Sequence, residues 1–279
     1  MAPLVAVLGA SRFLGRLAIP LFAAEGWRVR ALDRRQAAIA GMLGVERDWA
    51  DPLDERSLTR ATTDCACVVD LSSSESGADA VAATEAALLA GGARRVIRVE
   101  RLGSPVAAPG GDRARVTVVR CAPVIGAGAP WVVLLGALAD RLPVIPCPAW
   151  MRRATEPVAA ADAVRAIVWL AGAVEADPDG YDLAGADRTT YRDLLAQVAV
   201  AQGRRPRLVD AGIAGDVVTR VALGVAARSE PEVAALAAAL PAPESVARGD
   251  SLLRLADLPI TPLASAIRAA AAGGRRRGI

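Results

Sequence analysis

The sequence predicts an α/β fold: a doubly wound parallel sheet with helices on both faces, followed by a small, mostly helical lobe. Short aliphatic runs alternate with helical segments through the first part of the chain. The 279 residues are 53% hydrophobic but only 3% aromatic, a composition that suits parallel strands buried under helices. We therefore expect residues 1–170 to form the sheet domain and residues 171–279 to form a lobe on the sheet edge, within one compact unit.

The first element is a strand that is followed by a tight turn and a helix. Residues 4–8 are all aliphatic, as in a buried strand, and Gly9 can adopt the backbone conformation of a tight turn. An amphipathic segment begins near Phe13, and its apolar residues keep helical spacing through residues 16–25 until Gly26 ends the helix.

The same alternation predicts the rest of the sheet. Strands are expected at residues 28–32, 44–47, 65–71, 95–99 and 116–120, and helices at residues 55–60 and 78–90. Strands and helices that alternate at this pitch indicate right-handed crossovers and a parallel sheet. Residues 104–114 are too few and too rich in Pro, Gly and Ala for a normal crossover helix, so we expect that helix to be missing.

The second half of the chain predicts more helix than strand. Helices are expected at residues 131–139 and 163–171, and extended segments at residues 142–145 and 180–183. Thr190 and Asp193 fit a capping box at the start of a further helix. From residue 207, one strand and three Ala- and Leu-rich helices are expected to form the lobe, beside the sheet edge where open α/β folds bind substrate.

The composition excludes several classes of protein. The net charge of +3 is too small to indicate a nucleic-acid partner. No apolar run of about 20 residues is free of charge, so we expect no membrane span. The N-terminus lacks the features of an export signal, and we expect a cytoplasmic protein. The four cysteines lie in apolar runs and no histidine exists to complete a metal site, so we expect buried thiols and no metal.

The residue types present limit the chemistry. The chain has no histidine, and all 33 of its basic residues are arginine. Arginine stays protonated, so it orients anions but does not shuttle protons near neutral pH. Proton transfer must therefore use Asp, Glu, Cys, Tyr181 or Tyr191. A lysine Schiff base and a serine–histidine triad are excluded.

Six segments, in order along the chain, carry a resemblance to one enzyme superfamily. They are VAVLGASRFLGR (5–16), WRVRALDRR (27–35), ERDWADP (46–52), VRCAPVIGAG (119–128), EPVAAADAVRAIVWL (156–170) and YDLAGADRTTYRDLLAQVA (181–199). Together they resemble extended and atypical short-chain dehydrogenases/reductases, the group that includes sugar-nucleotide epimerases and NmrA-like proteins. The resemblance covers residues 3–205 and implies a Rossmann-like fold that binds NAD(P). It implies much less about the activity, because one fold supports many functions.

The resemblance implies a cofactor site at the first turn and at the ends of the following strands. Gly9 would form the turn, Gly15 would let the helix pack on the strand, and the helix N-terminus would face the pyrophosphate. Relatives carry glycine where this chain has Arg12 or Phe13. Arg12 is expected to contact the 2′-phosphate of NADP, with a solvated side chain as the alternative. The full set of expected contacts is Gly9, Ser11, Arg12, Phe13, Leu14, Gly15, Asp33, Arg34, Asp48, Trp49, Leu71, Ser72 and Ser73.

Neighbouring residues favour different cofactors. Asp33, at the end of the second strand, would accept a hydrogen bond from a free ribose hydroxyl of NAD, whereas Arg34 beside it would favour the phosphate of NADP. Because Arg12, Arg34 and Arg35 are expected to converge, we favour NADP and keep NAD as the alternative. Asp48 matches the position that bonds the adenine amino group in relatives, and a turn-capping role is its alternative.

The catalytic residues of the superfamily are absent. Relatives use a tyrosine and a lysine on the crossover helix, together with a serine or threonine at the end of the fifth strand, where this chain has Glu100 and Arg101. Glu100 is the expected catalytic acid, and Arg101 is expected to orient it or the substrate oxyanion. A surface ion pair is the alternative for these two residues. The expected substrate contacts are Pro123, Val124, Trp150, Met151 and Arg152.

Three functions agree with these observations. The first is an NADP-dependent oxidoreductase or epimerase that acts on a small molecule with an unusual acid. The second is a catalytically silent NADP-binding regulator, and the third is a cofactor-independent isomerase or cyclase that reuses the substrate cleft. Without the crossover helix, we expect a non-standard subunit contact, and hence a homo-oligomer, or the C-terminal segment to cover apolar surface near the fourth and fifth strands.

Overall fold

The computed structural model describes residues 2–72, 78–104, 115–173, 177, 179–210, 224 and 231–276. The chain folds into two compact units. The first comprises residues 1–120 and 164–182, and the second comprises residues 121–163 and 183–279. Neither unit is continuous in sequence. The division at residue 170 that the sequence indicates stays a prediction.

A seven-stranded sheet forms the centre of the first unit. Its strands are β1 (Leu4–Leu8), β2 (Arg28–Asp33), β3 (Glu46–Trp49), β4 (Cys67–Asp70), β5 (Val96–Arg101), β6 (Val116–Cys121) and β7 (Tyr181–Leu183). They lie in the order β3-β2-β1-β4-β5-β6-β7, and the β1–β2, β1–β4, β2–β3 and β4–β5 pairs are parallel. The strand order reverses at β1, as in doubly wound sheets, so the predicted Rossmann-like α/β fold is confirmed.

The helices that connect the first strands largely follow the predicted pattern. They are α1 (Phe13–Ala24), α2 (Gln36–Ile39), α3 (Glu55–Ala61) and α4 (Ala78–Ala90). Strand β5 continues two residues beyond its predicted end, so Glu100 and Arg101 belong to the strand. Residues 105–114 lie outside the described part of the chain. The missing crossover helix and the subunit contact inferred from it therefore stay predictions.

Alternate strand residues form the core on one face of the sheet. This face contains Leu4, Ala6, Leu8, Val68 and Val96, packed with Ala87 and Leu88 of α4. Because residues two apart on a strand share a face, Asp70 of β4 and Arg98 and Glu100 of β5 continue the same rows. Charged side chains therefore stand at the carboxyl ends of β4 and β5, where the aliphatic pattern would place further core residues.

The second unit consists mainly of helices with short strands between them. The helices in this part of the chain are α5 (Pro130–Arg141), a 3-10 helix (Ala149–Arg152), α6 (Ala160–Gly172, with residues in both units), α7 (Tyr191–Ala201), α8 (Pro231–Ala238), α9 (Leu252–Leu255) and α10 (Leu263–Arg276). Strand Arg207–Asp210 begins where the sequence predicts and pairs in parallel with Val144–Cys147. Among the described residues, no helix is long and apolar enough to cross a membrane.

Polar side chains fix the starts of two helices in this unit. Thr190 accepts a hydrogen bond from the amide of Asp193 (3.1 Å), and its hydroxyl donates to the Asp193 carboxylate (2.8 Å). The threonine half of the predicted capping box is confirmed, while Asp193 contacts the hydroxyl in place of the backbone amide. The carboxylate of Asp187 accepts a hydrogen bond from the amide of Leu263 at the start of α10 (2.7 Å).

All four cysteines are buried free thiols, as the sequence predicts. Burial raises the pKa of Cys65 to about 11 and the pKa values of Cys67 and Cys121 to about 12. Because the thiolate is the reactive form, we expect the native protein not to react with Ellman's reagent at pH 8, and unfolding in urea to expose all four thiols. Rapid reaction of the native protein would contradict this burial.

Candidate functional site

The turn after β1 is tied to the neighbouring strand by backbone hydrogen bonds. The amides of Gly9 and Ala10 both donate to the carbonyl oxygen of Leu32 on β2 (3.0 and 3.1 Å). Gly9 has φ of +82°, a left-handed conformation that favours glycine. The amide of Arg12 then donates to the carbonyl of Gly9 (2.9 Å) and closes the turn. The chain thus enters α1 directly above the carboxyl end of β1.

Gly15 allows α1 to approach this turn. A Cβ atom on Gly15 would lie 2.5 Å from the carbonyl oxygen of Gly9 and 2.8 Å from that of Ala10, and both of these atoms belong to the backbone. The packing of the helix on the turn that the sequence assigns to Gly15 is therefore a property of the structure. Phe13 is buried in the first turn of α1, and Leu14 is half-buried. The cofactor contacts predicted for these residues stay predictions.

The side chain of Arg12 lies across Gly9. Its Cδ and Nε atoms are 2.9 and 3.3 Å from the position that a Cβ atom on Gly9 would occupy. Arg12 is also the N-cap residue of α1, with an extended backbone (φ −70°, ψ 162°) and no side-chain cap hydrogen bond among the described contacts. The side chain therefore covers the turn that the sequence predicts to bind phosphate.

Asp33 links the end of β2 to the same turn. Its Oδ2 accepts a hydrogen bond from the amide of Ser11 (3.0 Å), and its Oδ1 accepts one from the amide of Arg35 (2.9 Å). The Arg35 guanidinium donates to the Ser11 hydroxyl (3.3 Å), while Arg34 is exposed. Asp33, Ser11 and Arg35 are therefore brought together, whereas the side chain of Arg12 lies over Gly9.

Asp48 lies at the end of β3 beside Trp49. Its Oδ1 accepts hydrogen bonds from the Trp49 amide (2.7 Å) and the Arg60 guanidinium (3.1 Å). Arg60 also donates to the Trp49 carbonyl oxygen (3.0 Å). This arrangement resembles the turn-capping alternative for Asp48, and its predicted contact with adenine stays a prediction.

A buried carboxylate, Asp70, ends β4. Its Oδ1 accepts hydrogen bonds from the amide (2.8 Å) and the hydroxyl (2.6 Å) of Ser72. Its Oδ2 has no hydrogen-bond partner in the described part of the chain, and the residue has no exposed surface. Burial raises the pKa of Asp70, while the Ser72 hydrogen bonds and the charges of Arg12 and Arg98 act to lower it. Leu71 is buried beside it, and Ser73 lies outside the described residues.

The predicted acid, Glu100, belongs to a buried cluster of charges. Arg98 and Glu85 of α4 form an ion pair with an Nη1–Oε1 distance of 2.7 Å, and neither side chain has any exposed surface. The Nε atom of Arg98 lies 3.4 Å from Oε2 of Glu100, whose side chain is 10% exposed. Glu100 is thus not at the surface, and the cation beside it is Arg98. Arg101, the expected partner, alternates to the other face of the strand.

The environment of Glu100 favours its protonated form. Burial raises the pKa of this carboxyl and Glu85 raises it further, against the lowering effects of Arg98 and Arg120. Oε1 of Glu100 has no hydrogen-bond partner among the described residues. Arg120 is itself hydrogen-bonded to the Asp182 carboxylate and to the carbonyl oxygen of Asp179 (3.0 Å). Glu100 is therefore a largely buried acid, and one of its carboxyl oxygens makes no hydrogen bond with the described residues.

The predicted substrate residues belong to the second unit. Met151 is fully buried, a placement that core packing explains without a ligand. The ring of Trp150 packs edge-on against Tyr191 (5.7 Å), and Arg152 is exposed, 3.6 Å from Asp210. The backbone of Pro123 and Val124 pairs with the short strand Val158–Ala159. Their contacts with a substrate stay predictions.

Comparison with known proteins identifies the fold. No protein-family model and no curated protein matches the chain in sequence. The structure is similar to a nucleoside-diphosphate-sugar epimerase from Pseudomonas aeruginosa, with 19% identity and a TM-score of 0.70 over 100% of this chain and 99% of that one. The chain has the Rossmann-type fold of that epimerase. The predicted resemblance is thereby confirmed for the fold.

Two further structures with this fold contain a nicotinamide cofactor. Triphenylmethane reductase from Citrobacter sp., solved with NADP(H), is 19% identical, with a TM-score of 0.68 over 95% of this chain and 99% of that one. UDP-glucose 4-epimerase from Thermus thermophilus, solved with NAD, is 14% identical, with a TM-score of 0.66 over 98% of this chain and 99% of that one. At such identities the similarity establishes the fold, and activity must be argued from the site.

Sequence reasoning missed the buried partners of the site. Asp70, Glu85 and Arg98 were not among the candidate residues. One signal was available, because Asp70 and Arg98 interrupt runs of aliphatic strand residues, and a charge within a buried strand requires a partner. Glu85 gave no comparable signal, since it lies in a helix of small residues where an acidic side chain is ordinarily solvent-exposed.

Proposed function

We propose that this protein binds NADP and acts as an atypical short-chain oxidoreductase or epimerase on a small molecule, with Glu100 as the acid. The observation that carries the proposal is the turn at Gly9 and Gly15, where α1 begins immediately against the end of β1. A helix N-terminus at the carboxyl end of a central parallel strand is where Rossmann folds hold a pyrophosphate. The similar structures solved with NADP(H) and with NAD support a nicotinamide cofactor.

The backbone of the first turn fits the diphosphate of a dinucleotide. Gly9 adopts the left-handed conformation that the tight turn requires. The amide groups in the first turn of a helix point beyond its N-terminus, so those of α1 can donate to a diphosphate. A dinucleotide bound through its diphosphate at this turn would supply or accept a hydride at its nicotinamide ring. The Arg12 side chain lies across Gly9 in this turn, with its Cδ atom 2.9 Å from the position that a Cβ atom on Gly9 would occupy.

The end of β2 supports NADP over NAD. Both Asp33 oxygens already accept amide hydrogen bonds, from Ser11 and Arg35, so this carboxylate has a structural partner on each side. Exposed Arg34 and the neighbouring Arg35 guanidinium supply positive charge at the strand end where a ribose 2′-phosphate binds in this fold. We therefore favour NADP, with NAD as the alternative.

Glu100 is the best candidate for proton transfer. The chain has no lysine or histidine, and burial raises the pKa of the Glu100 carboxyl above its ordinary value. The Nε atom of Arg98 lies 3.4 Å from Oε2 of Glu100, and Oε1 has no hydrogen-bond partner among the described residues, so we assign the transferable proton to Oε1. Because an acid must hold its proton before the reaction, turnover should fall as the pH rises through the raised pKa of Glu100.

A silent NADP-binding regulator is the second candidate. The buried ion pair between Arg98 and Glu85 favours it. Glu100 lies beside this pair, and a structural role in the same cluster of charges would explain its burial without catalysis. Both candidates require the nucleotide. They differ in whether hydride transfer or epimerisation accompanies binding.

Calorimetric titration with NADPH, NADP+, NADH and NAD+ tests the shared part of the proposal. We expect NADPH to bind and to raise the melting temperature by a few degrees at concentrations well above its dissociation constant. Replacing Arg34 and Arg35 with alanine should weaken NADPH binding more than NADH binding, so the NADH measurement serves as the control. If none of the four nucleotides binds, a cofactor-independent isomerase replaces this proposal.

Turnover assays separate the enzyme from the regulator. UDP-glucose and a triphenylmethane dye are suitable probes, because the neighbours named above act on them. We expect activity with NADPH or NADP+, and a loss of about 100-fold or more in Glu100→Gln with unchanged NADPH affinity. Glu25→Gln, at an exposed acid, is the control. NADPH binding without turnover of either probe would favour the regulator, and full activity of Glu100→Gln would exclude Glu100 as the acid.

A further inference from the structure

A buried guanidinium, that of Arg98, lies beside carboxyl groups from three elements of the first unit. Its Nη1 atom is 2.7 Å from Oε1 of Glu85 on α4, and its Nε atom is 3.4 Å from Oε2 of Glu100 on β5. Asp70 on β4 is its partner in the strand register. Arg98, Glu85 and Asp70 have no exposed surface, and the side chain of Glu100 is 10% exposed. One buried cation therefore faces more than one buried carboxyl group.

The shape of the guanidinium links its two ion pairs. A guanidinium is planar and rigid, so a partner at one nitrogen also fixes the direction of the other nitrogens. The Glu85 carboxylate accepts a hydrogen bond from Nη1 of Arg98 and thereby sets where Nε points. Nε lies beside Oε2 of Glu100, while Oε1 has no hydrogen-bond partner among the residues that the structure describes. The two oxygens of Glu100 are therefore not equivalent, and the Glu85–Arg98 pair accounts for the difference.

Charged residues on the neighbouring strands also face this cluster. Burial raises the pKa of Glu100 and the charge of Arg120 on β6 opposes this, but the Arg120 guanidinium is hydrogen-bonded to the carboxylate of Asp182 on β7. Oδ1 of Asp70 on β4 accepts two hydrogen bonds from the loop that follows that strand. Both residues thus have partners outside the cluster. Arg98 lies 3.4 Å from Glu100 and is therefore the cation that can orient it.

We propose that Arg98 and Glu85 are positioning residues for Glu100, the acid of the proposed function. Glu85 anchors the guanidinium through Nη1, and the anchored guanidinium orients the Glu100 carboxyl from its Oε2 side. The proton then passes from Oε1 to the substrate, and the carboxylate left behind lies beside Arg98. The inference rests on the proposed function for this last step. Arg98 and Glu85 have no exposed surface, so they act on the reaction through Glu100.

The two positioning residues act on Glu100 with opposite signs. Burial is the main cause of its raised pKa; Arg98 lowers this pKa and Glu85 raises it, and the effect of Arg98 is the larger of the two. Removing the cation, in Arg98→Met, should therefore raise the pKa of Glu100, whereas removing the carboxylate, in Glu85→Gln, should lower it. A purely structural role predicts a fall of this pKa in both variants, because a loosened core admits water and reduces the effect of burial.

A carbon-13 NMR titration of the protein labelled at its glutamate carboxyl carbons measures this pKa without nucleotide or substrate. The Glu100 signal is the one that Glu100→Gln removes. We expect the pKa of Glu100 to be higher in Arg98→Met and lower in Glu85→Gln than in wild type. Arg204→Met removes an arginine from an exposed ion pair of the same 2.7 Å separation and should leave this pKa unchanged. Changes in the same direction in Arg98→Met and Glu85→Gln, or no change in either, would overturn the inference.

Arg98→Lys keeps the buried positive charge and tests the bridging geometry in a protein that folds more readily. Arg98→Met and Glu85→Gln each remove one partner of a buried ion pair and so lose stability. The lysine ammonium is a point charge on one nitrogen, and it cannot span two carboxyl groups as the guanidinium does. We expect the lysine to stay with the fully buried Glu85 and the pKa of Glu100 to rise, as in Arg98→Met. An unchanged or lower pKa of Glu100 in Arg98→Lys would overturn the bridging role.

Turnover assays with the probes named above separate this inference from the proposed function. We expect Arg98→Lys to lower kcat roughly tenfold and to leave NADPH affinity unchanged. The expected pKa changes in a protein without nucleotide binding or turnover would overturn the proposed function and leave the orientation of Glu100 by Arg98 and Glu85 standing. Turnover that requires Glu100, with the same kcat in Arg98→Lys as in wild type, would overturn this inference alone.

Discussion

Replacing Glu85 with glutamine is expected to lower the free energy of unfolding by about 3–5 kcal/mol. Glu85 and Arg98 are paired at 2.7 Å with no exposed surface on either side chain. The substitution removes the carboxylate that is hydrogen-bonded to the buried Arg98 guanidinium and leaves Glu100, at 3.4 Å, beside it. Removing one partner of a buried ion pair costs much more than the net value of an ion pair in water. Urea unfolding monitored by circular dichroism measures the change.

The chain provides a matched control for this prediction. Arg204 and Asp140 have the same N–O separation, 2.7 Å, but both side chains are about half exposed. Asp140→Asn should therefore cost less than about 1 kcal/mol. The double replacement of Glu85 and Arg98 by leucine and methionine should restore much of the stability that Glu85→Gln loses. If Glu85→Gln and Asp140→Asn lower the free energy of unfolding by equally small amounts, burial does not make the Glu85–Arg98 pair more costly to break than an exposed pair.

Gly15→Ala is expected to lower the free energy of unfolding by about 1–3 kcal/mol and to weaken NADPH binding. The added Cβ atom would lie 2.5 Å from the Gly9 carbonyl oxygen and 2.8 Å from that of Ala10. Neither atom belongs to a flexible side chain, so α1 must move away from the turn. That movement displaces the amides that would bind the diphosphate. Chemical denaturation and calorimetry measure the two effects separately.

Gly172→Ala is the control for the added methyl group. Gly172 ends α6, and a Cβ atom there meets nothing within 4 Å. Alanine at this position should leave stability unchanged or raise it slightly, because alanine favours helix more than glycine does. If Gly15→Ala is as stable as Gly172→Ala, the close approach of α1 to the turn does not constrain the fold.

The sheet could be predicted because its signals are local. The aliphatic run at residues 4–8, the glycine after it and the Ala-rich helix at residues 78–90 each indicate their structure from neighbouring residues alone. Ends of elements were less exact, since β4 begins at Cys67 although the apolar run starts at residue 65. There the amide of Cys65 donates to the carbonyl of Thr62 in the preceding turn, a contact that apolar periodicity does not report.

The site could be predicted only where it depends on backbone shape. Gly9 and Gly15 were found because glycine at those positions has a steric meaning. The ion pair of Arg98 with Glu85 joins a strand to a helix, so local spacing does not predict it. The sequence suggested Arg101 as the partner of Glu100, because the two residues are adjacent. Residues two apart on a strand share a face of the sheet, so Arg98 is the arginine that lies beside Glu100.

The path of the chain through its two units also governs how a growing polypeptide can fold. The first unit takes residues 1–120 and then residues 164–182, so its edge strand β7 is synthesised 60 residues after β6 ends. Until β7 emerges from the ribosome, β6 presents an unpaired strand edge of the kind that recruits other chains. Folding of the sheet during translation is therefore incomplete until the first part of the second unit has also been made.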